Sequence, residues 1–166
     1  LNLKNMISLS SNTSCDTFNG FSPATPLCAA YEFIEISRKD RNEYTIFEDF
    51  AQARNWNFDL NKVKRFLQDR NNTIVVTCEE EKIEWVSKSF TRMTGYDSSE
   101  AIGQFPKFLQ GSETEKAVKQ AIRSKINVAE KYSGKIVNYR KNGEIYLCKV
   151  DIFPVYSKSN SLVNFI

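Results

Sequence analysis

The spacing of apolar side chains changes character once along this chain, near residue 71. Before that point apolar residues recur every three or four positions. Leu27, Tyr31 and Ile34 share one face, which Phe33 and Ile36 widen. Tyr44, Phe47, Phe50 and Ala51 repeat the pattern up to Asn55. Asp59 is then placed to cap a helix in which Leu60, Val63, Phe66 and Leu67 form an apolar stripe. This spacing predicts two or three short amphipathic helices over 27–70. Beyond it, residues 73–78 are β-branched and short, 79–81 are a turn of three glutamates, and 82–86 make a second strand. A short helix over 87–93 ends near Gly95, and another runs from Ser98 or Ser99 through Ile102. A longer helix is expected over 112–126, with Ala117, Val118, Ala121, Ile122 and Ile126 inward. Three strands follow at 131–140, 144–156 and 162–166, the first two joined by a tight Lys141-Asn142-Gly143 turn.

This order predicts an α+β fold: a five-stranded antiparallel sheet with helices over one face, enclosing a pocket. Residues 1–25, rich in Ser, Asn and Thr, read as a flexible leader; 26–70 form an N-terminal helical segment and 71–166 the sheet-bearing domain. A chain that is 41% hydrophobic and 13% aromatic has enough apolar surface for a packed core. A net charge of +3, with no Lys/Arg-rich run, argues against a nucleic-acid partner. No apolar run is long enough to span a membrane. Cys15, Cys28, Cys78 and Cys148 form no Cys-x-x-Cys pair and read as free thiols in a reducing cytoplasm. The sequence contains 0 His, which removes His-ligated haem, His-dependent zinc sites and Ser-His-Asp or Cys-His catalysis. There is no P-loop and no Gly-x-Gly-x-x-Gly, and Glu130 and Asp151 stand far apart, so neither an enzyme nor a metal site is expected.

The most informative stretch is Gly103-Gln104-Phe105-Pro106-Lys107-Phe108-Leu109-Gln110-Gly111. It resembles the Gly-x-Asn-Cys-Arg-Phe-Leu-Gln-Gly signature of light-oxygen-voltage (LOV) domains, the flavin-binding branch of the PAS sensor family. Further motifs follow the same order. Met93-Thr94-Gly95-Tyr96 resembles the PAS Thr-Gly-Tyr, Gly111-Ser112-Glu113-Thr114 the LOV Gly-Pro-Glu-Thr, and Asn138-Tyr139-Arg140-Lys141-Asn142-Gly143 the LOV Asn-Tyr-x-Lys-x-Gly hairpin. The resemblance covers 71–166 and implies a PAS fold.

The flavin site implied by the resemblance is altered. Pro106 stands where LOV domains carry the Cys that bonds to photoexcited flavin, and proline has no thiol. Gln110, Arg123 and Asn138 match positions that contact, respectively, the ribityl and ring region, the phosphate and the ring edge. Lys107 replaces a second phosphate-binding Arg, Phe105 an Asn on the ribityl chain, and Cys148 an Asn on the ring edge. The departures suggest a PAS sensory or regulatory module without photochemistry, acting in signal transduction through a small molecule or a protein partner, with no cofactor. Its output would pass through a homodimer or a signalling protein, with Leu60, Val63, Phe66 and Leu67 as the signal helix. The alternative is a redox or light sensor that binds flavin (FMN) without a covalent bond.

Overall fold

The computed structural model describes residues 42–166. The expected leader and the apolar face around Tyr31 and Ile34 lie outside the described residues. Two helices come first. In α1 (Glu43–Ala53), the Asn42 side chain accepts a bond from the Thr45 amide at 2.9 Å. In α2 (Leu60–Gln68), Asp59 accepts from the Asn61 amide at 3.1 Å, the cap its sequence position predicts.

The strands depart from the expected single sheet of five. β1 (Val75–Cys78), β2 (Ile83–Val86), β5 (Pro154–Tyr156) and β6 (Leu162–Phe165) form a four-stranded antiparallel sheet in the order β2-β1-β6-β5. β3 (Tyr132–Tyr139) and β4 (Ile145–Ile152) form a separate two-stranded hairpin. The run expected as one strand over 144–156 changes partner at a single residue. Phe153 exchanges both backbone hydrogen bonds with Ile166, at 2.9 and 3.0 Å, and Pro154 has no N–H to continue a ladder. The chain therefore leaves β3 and joins β6 without turning back.

Helices cover both faces of the four-stranded sheet, not one. Adjacent residues of a strand point to opposite sides, and Val75 and Val76 serve different cores. Val76, Ile74 and Val155 pack with Phe47, Ala51, Trp56 and Val63 beneath α1 and α2. On the other side Ile83 and Val86 pack with Phe90, Ala101 and Leu109, and Val75 lies against them. These residues come from β2, α3 (Lys88–Thr94), α4 (Ser98–Ala101) and the loop that follows. The stripe on α2 is thus largely internal. Val63 is buried, Leu60 and Leu67 pack against the same core, and Phe66 stays exposed. Among the described residues no helix is long and apolar enough to cross a membrane.

The first core also holds a polar hub. Asn164 on β6 is 1% exposed. It accepts a bond from Trp56 Nε1 at 2.8 Å and donates through Nδ2 to Thr77 O and Glu84 Oε2, each at 2.9 Å. Arg54 Nε donates to the same carboxylate oxygen at 3.1 Å. The half-exposed Arg54–Glu84 pair adds little by itself, but every hydrogen-bonding atom of the Asn164 side chain is matched. Phe47 meets Trp56 and Trp85 edge-on, with centroids 5.6 and 5.0 Å away. Asn164→Ala leaves Trp56 Nε1 buried without an acceptor, so unfolding stability should fall by about 1–3 kcal/mol. Urea denaturation followed by tryptophan fluorescence reads this, and an unchanged midpoint would refute it.

Candidate functional site

The signature loop is built by its two end glycines. Gly103 adopts φ +84°, a left-handed backbone that glycine tolerates best. This turns its amide toward Ile83 O (2.8 Å), while Ile83 N donates to Gln104 O (2.8 Å), tying the loop to β2. Gly111 is needed for a different reason: a Cβ there would lie 2.4 Å from the Tyr139 ring. Between them Pro106–Leu109 forms a single 3₁₀ turn, with Pro106 at its start, where a missing N–H costs nothing. Leu109 is buried in the second core, and the Phe108 ring meets Tyr96 edge-on at 5.0 Å. Phe105 is partly exposed with Lys107 Nζ 4.8 Å from its ring centroid. Gln110 is half-buried.

The helix expected from 112 starts later, as α5 (Lys116–Asn127). The Thr114 hydroxyl accepts from the Gly111 amide at 3.0 Å and donates to Val137 O at 2.7 Å, which holds residues 111–114 in a turn beside β3. No residue of α5 is buried. Ala117 and Ala121, expected inward, are exposed, as is Arg123, while Val118, Ile122 and Ile126 are half-buried. The helix packs beside β3 with an apolar side that is only half-buried.

The hairpin also has an inward face. Strand alternation puts Ile136, Asn138, Tyr146, Cys148, Val150 and Ile152 on it, all buried or half-buried, whereas Ile145, Leu147, Lys149 and Asp151 on the other face are exposed. Asn138 pairs in register with Tyr146, and Ile136 with Cys148. Burial pushes the Cys148 thiol above its ordinary pKa, so it stays protonated and a poor nucleophile. Burial, and beside it Cys148, push the Tyr146 phenol up as well, with Asn138 and Arg140 acting the other way.

Three buried side-chain atoms among the described residues lack a hydrogen-bond partner: Asn138 Oδ1, Arg140 Nε and Tyr146 OH. All three fall on this one stretch of hairpin. Arg140 is nonetheless anchored. Its guanidinium donates to Met93 O, its Nε lies 3.3 Å from Glu144 Oε2, and its Cζ sits 4.9 Å from the Tyr146 ring centroid. The sequence reading named Asn138 and Cys148 on this face and missed Tyr146 and Arg140. Counting by twos from Cys148 reaches Tyr146, so the signal was present in the strand's period. Lys107 and Arg123, the expected phosphate cations, are both exposed. A separate open depression of about 560 Å³ at the hairpin turn is lined in part by Arg92, Arg140 and Lys141. Glu144 and Glu100 already pair with the last two of these cations. Among the described residues no cluster of His, Cys, Asp and Glu could hold a metal ion.

A four-stranded sheet packed by helices on both faces, with a two-stranded hairpin beside α5, is an α+β arrangement. The chain belongs to the PAS domain family, whose profile matches residues 71–166. It is 36% identical over 92 residues to a blue-light photoreceptor of Listeria innocua, across 54% of this chain and 36% of that protein. It is 33% identical over 84 residues to a blue-light-activated histidine kinase of Brucella canis, across 51% of this chain and 17% of the kinase. The chain thus spans well under half the length of these relatives. Among solved structures, the dark form of the Aureochrome1 LOV domain is similar with TM-score 0.58 and 26% identity, over 66% of this chain and 80% of that one. The LOV domain of the Erythrobacter litoralis EL346 blue-light-activated histidine kinase shares the fold, with TM-score 0.53 at 24% identity, over 56% and 88%. Residues 71–166 are therefore a PAS/LOV-type sensory domain.

These matches overturn the expectation that no cofactor is bound. A domain this similar to proteins named as blue-light photoreceptors is a fitting host for the flavin that the LOV motifs imply.

The Tyr139 hydroxyl lies 3.0 Å from Ser112 Oγ and accepts from the Glu113 amide at 2.9 Å, so its ring cannot easily yield to a Cβ at Gly111. Gly111→Ala should cost about 1–3 kcal/mol of stability. In a Tyr139→Ala background the same change should cost much less; an equal cost in both, by thermal melting, would remove the steric account.

Proposed function

We propose that this chain is a light- or redox-sensing module that holds a flavin, FMN or riboflavin, without a covalent bond. The observation that carries the reading is two buried polar atoms without a hydrogen-bond partner on the inward hairpin face, Asn138 Oδ1 and Tyr146 OH, with the half-buried apolar side of α5 beside β3. Buried polar groups are almost always hydrogen-bonded. A flat ring with a polar edge, lying between Val118, Ile122 and Ile126 on one side and Ile136, Cys148 and Val150 on the other, meets both demands. Kinship to named blue-light photoreceptors supports the same ligand.

In this reading Asn138 holds the ring edge and Gln110 the ring and its side chain. Arg123 and Lys107 reach toward a phosphate from outside the cleft. A flavin supplies absorption of blue light and one-electron redox chemistry. Pro106 offers no thiol, and the Cys148 thiol stays protonated, so neither residue forms a bond to the ring. The sensor acts through its surroundings, by changes in the hydrogen bonds that the β3–β4 face makes.

The signal passes to a partner protein or a second copy of this chain. The helices on the outer face of the four-stranded sheet are the route, with Phe66 the exposed member of the Leu60, Val63, Phe66, Leu67 stripe.

Purified protein supplied with FMN should be yellow after gel filtration, and its visible band should not bleach under blue light in the absence of a reductant. Pro106→Cys should add reversible bleaching that recovers in the dark. Colourless wild-type protein would defeat the flavin reading. If Phe66 makes the contact, Phe66→Glu should turn a wild-type dimer into a monomer by light scattering; a wild type that is monomeric at high concentration removes that route.

A further inference from the structure

We propose that Tyr146 is a ligand-binding residue of the cleft, donating its hydroxyl to a carbonyl of the ring edge and so replacing the contact that Cys148 cannot make. The inference rests on the flavin reading and assigns the polar edge of the site to a residue that no motif marked.

The argument begins with register. Asn138 and Tyr146 face one another across β3 and β4 and project from the same face. Neither Asn138 Oδ1 nor Tyr146 OH has a partner at hydrogen-bond geometry, and the Asn138 amide, which bears on the phenol as a donor, leaves the hydroxyl proton free to be given. Asn138 is 9% exposed, so water does not readily complete its shell. An amide oxygen only accepts, whereas a phenol can donate. Placed side by side, they fit a planar group with an N–H beside a C=O, the imide edge of a flavin ring. Asn138 Oδ1 takes the N–H and the Tyr146 hydroxyl donates to the carbonyl. The phenol keeps its proton, because burial raises its pKa.

Cys148 cannot serve this role. It is one inward position further along β4, its Sγ lies 3.5 Å from Lys149 O, and a thiol is a weak donor. Tyr146 is also held in place before any ligand arrives. The Arg140 guanidinium lies over its ring, 4.9 Å from the centroid, and is fixed in turn by Met93 O and Glu144. A hydroxyl positioned in advance loses little freedom on binding.

The test titrates the full chain with riboflavin and with N3-methylriboflavin, whose imide N–H is blocked, and repeats both with Tyr146→Phe. Circular dichroism shows that the variant is folded. Wild type should bind riboflavin roughly ten- to a hundredfold more tightly than the methylated form. Tyr146→Phe should weaken riboflavin binding by a similar factor. It should also move a flavin carbonyl stretch to higher frequency in the infrared spectrum, a change that a purely structural role for Tyr146 would not produce. Wild-type binding with unchanged affinity and carbonyl bands in Tyr146→Phe would overturn this inference and leave the flavin reading intact. Failure of the wild type to take up either flavin would remove both.

Discussion

The insertion of β6 between β1 and β5 is the pairing on which the rest of the described structure depends. It joins strands from opposite ends of the domain into one sheet, and it places Asn164 where Trp56, Thr77 and Glu84 all reach it. Without that strand, β1 keeps only β2 as a neighbour, and the helices at 43–68 lose part of the surface they cover. Hydrophobic burial supplies most of the driving force on that surface. The Asn164 hub sets its register, since a one-residue slip would turn the amide away from all three partners. The helical segment and the sheet are therefore parts of one packed unit over residues 41–166.

Much of this was legible in the sequence, and what was not has identifiable causes. The hairpin at 141–143 and the alternation of β3 and β4 follow from Asn-Gly chemistry and a period of two. The cap at Asp59 and the stripe over Leu60, Val63 and Leu67 follow from helical spacing. The break at Phe153 was hidden, because one residue changing partner leaves the β-propensity of 144–156 unaltered. The start of α5 was misplaced, because residues 112–115 favour a helix locally and are held otherwise by Thr114 and its tertiary contact with Val137. The inward placement of Ala117 and Ala121 failed because apolar periodicity locates a face without saying whether anything fills the space before it. Tyr146 belongs to no motif, and only the strand's period of two, counted from Cys148, puts it on the inward face.

The signature segment separates into two jobs. Gly103, Phe108, Leu109 and Gly111 shape the loop, through a left-handed turn, an aromatic contact, a core side chain and a close approach to Tyr139. Each has a geometric reason to be what it is, independent of any ligand. Phe105 and Lys107 are exposed, and Pro106, half-buried, opens the 3₁₀ turn. The loop thus preserves a PAS/LOV architecture while the chemistry of its middle residues is replaced. Buried polar side chains gather instead on the hairpin, at Asn138, Tyr146 and Arg140.

The position of β6 also sets an order of events. Thr77 must wait for Asn164, a partner 87 positions further along the chain. During synthesis β1 and β2 emerge early as a two-stranded ribbon with an open edge, a form marginal in water. They stay so until the helices, the hairpin and the final strand have all been made. Closure is a late, long-range step of the kind that slows folding, and the edge of β1 is meanwhile open to pairing with another nascent chain. The contact that locks the finished domain is the same one that leaves it most vulnerable on the ribosome.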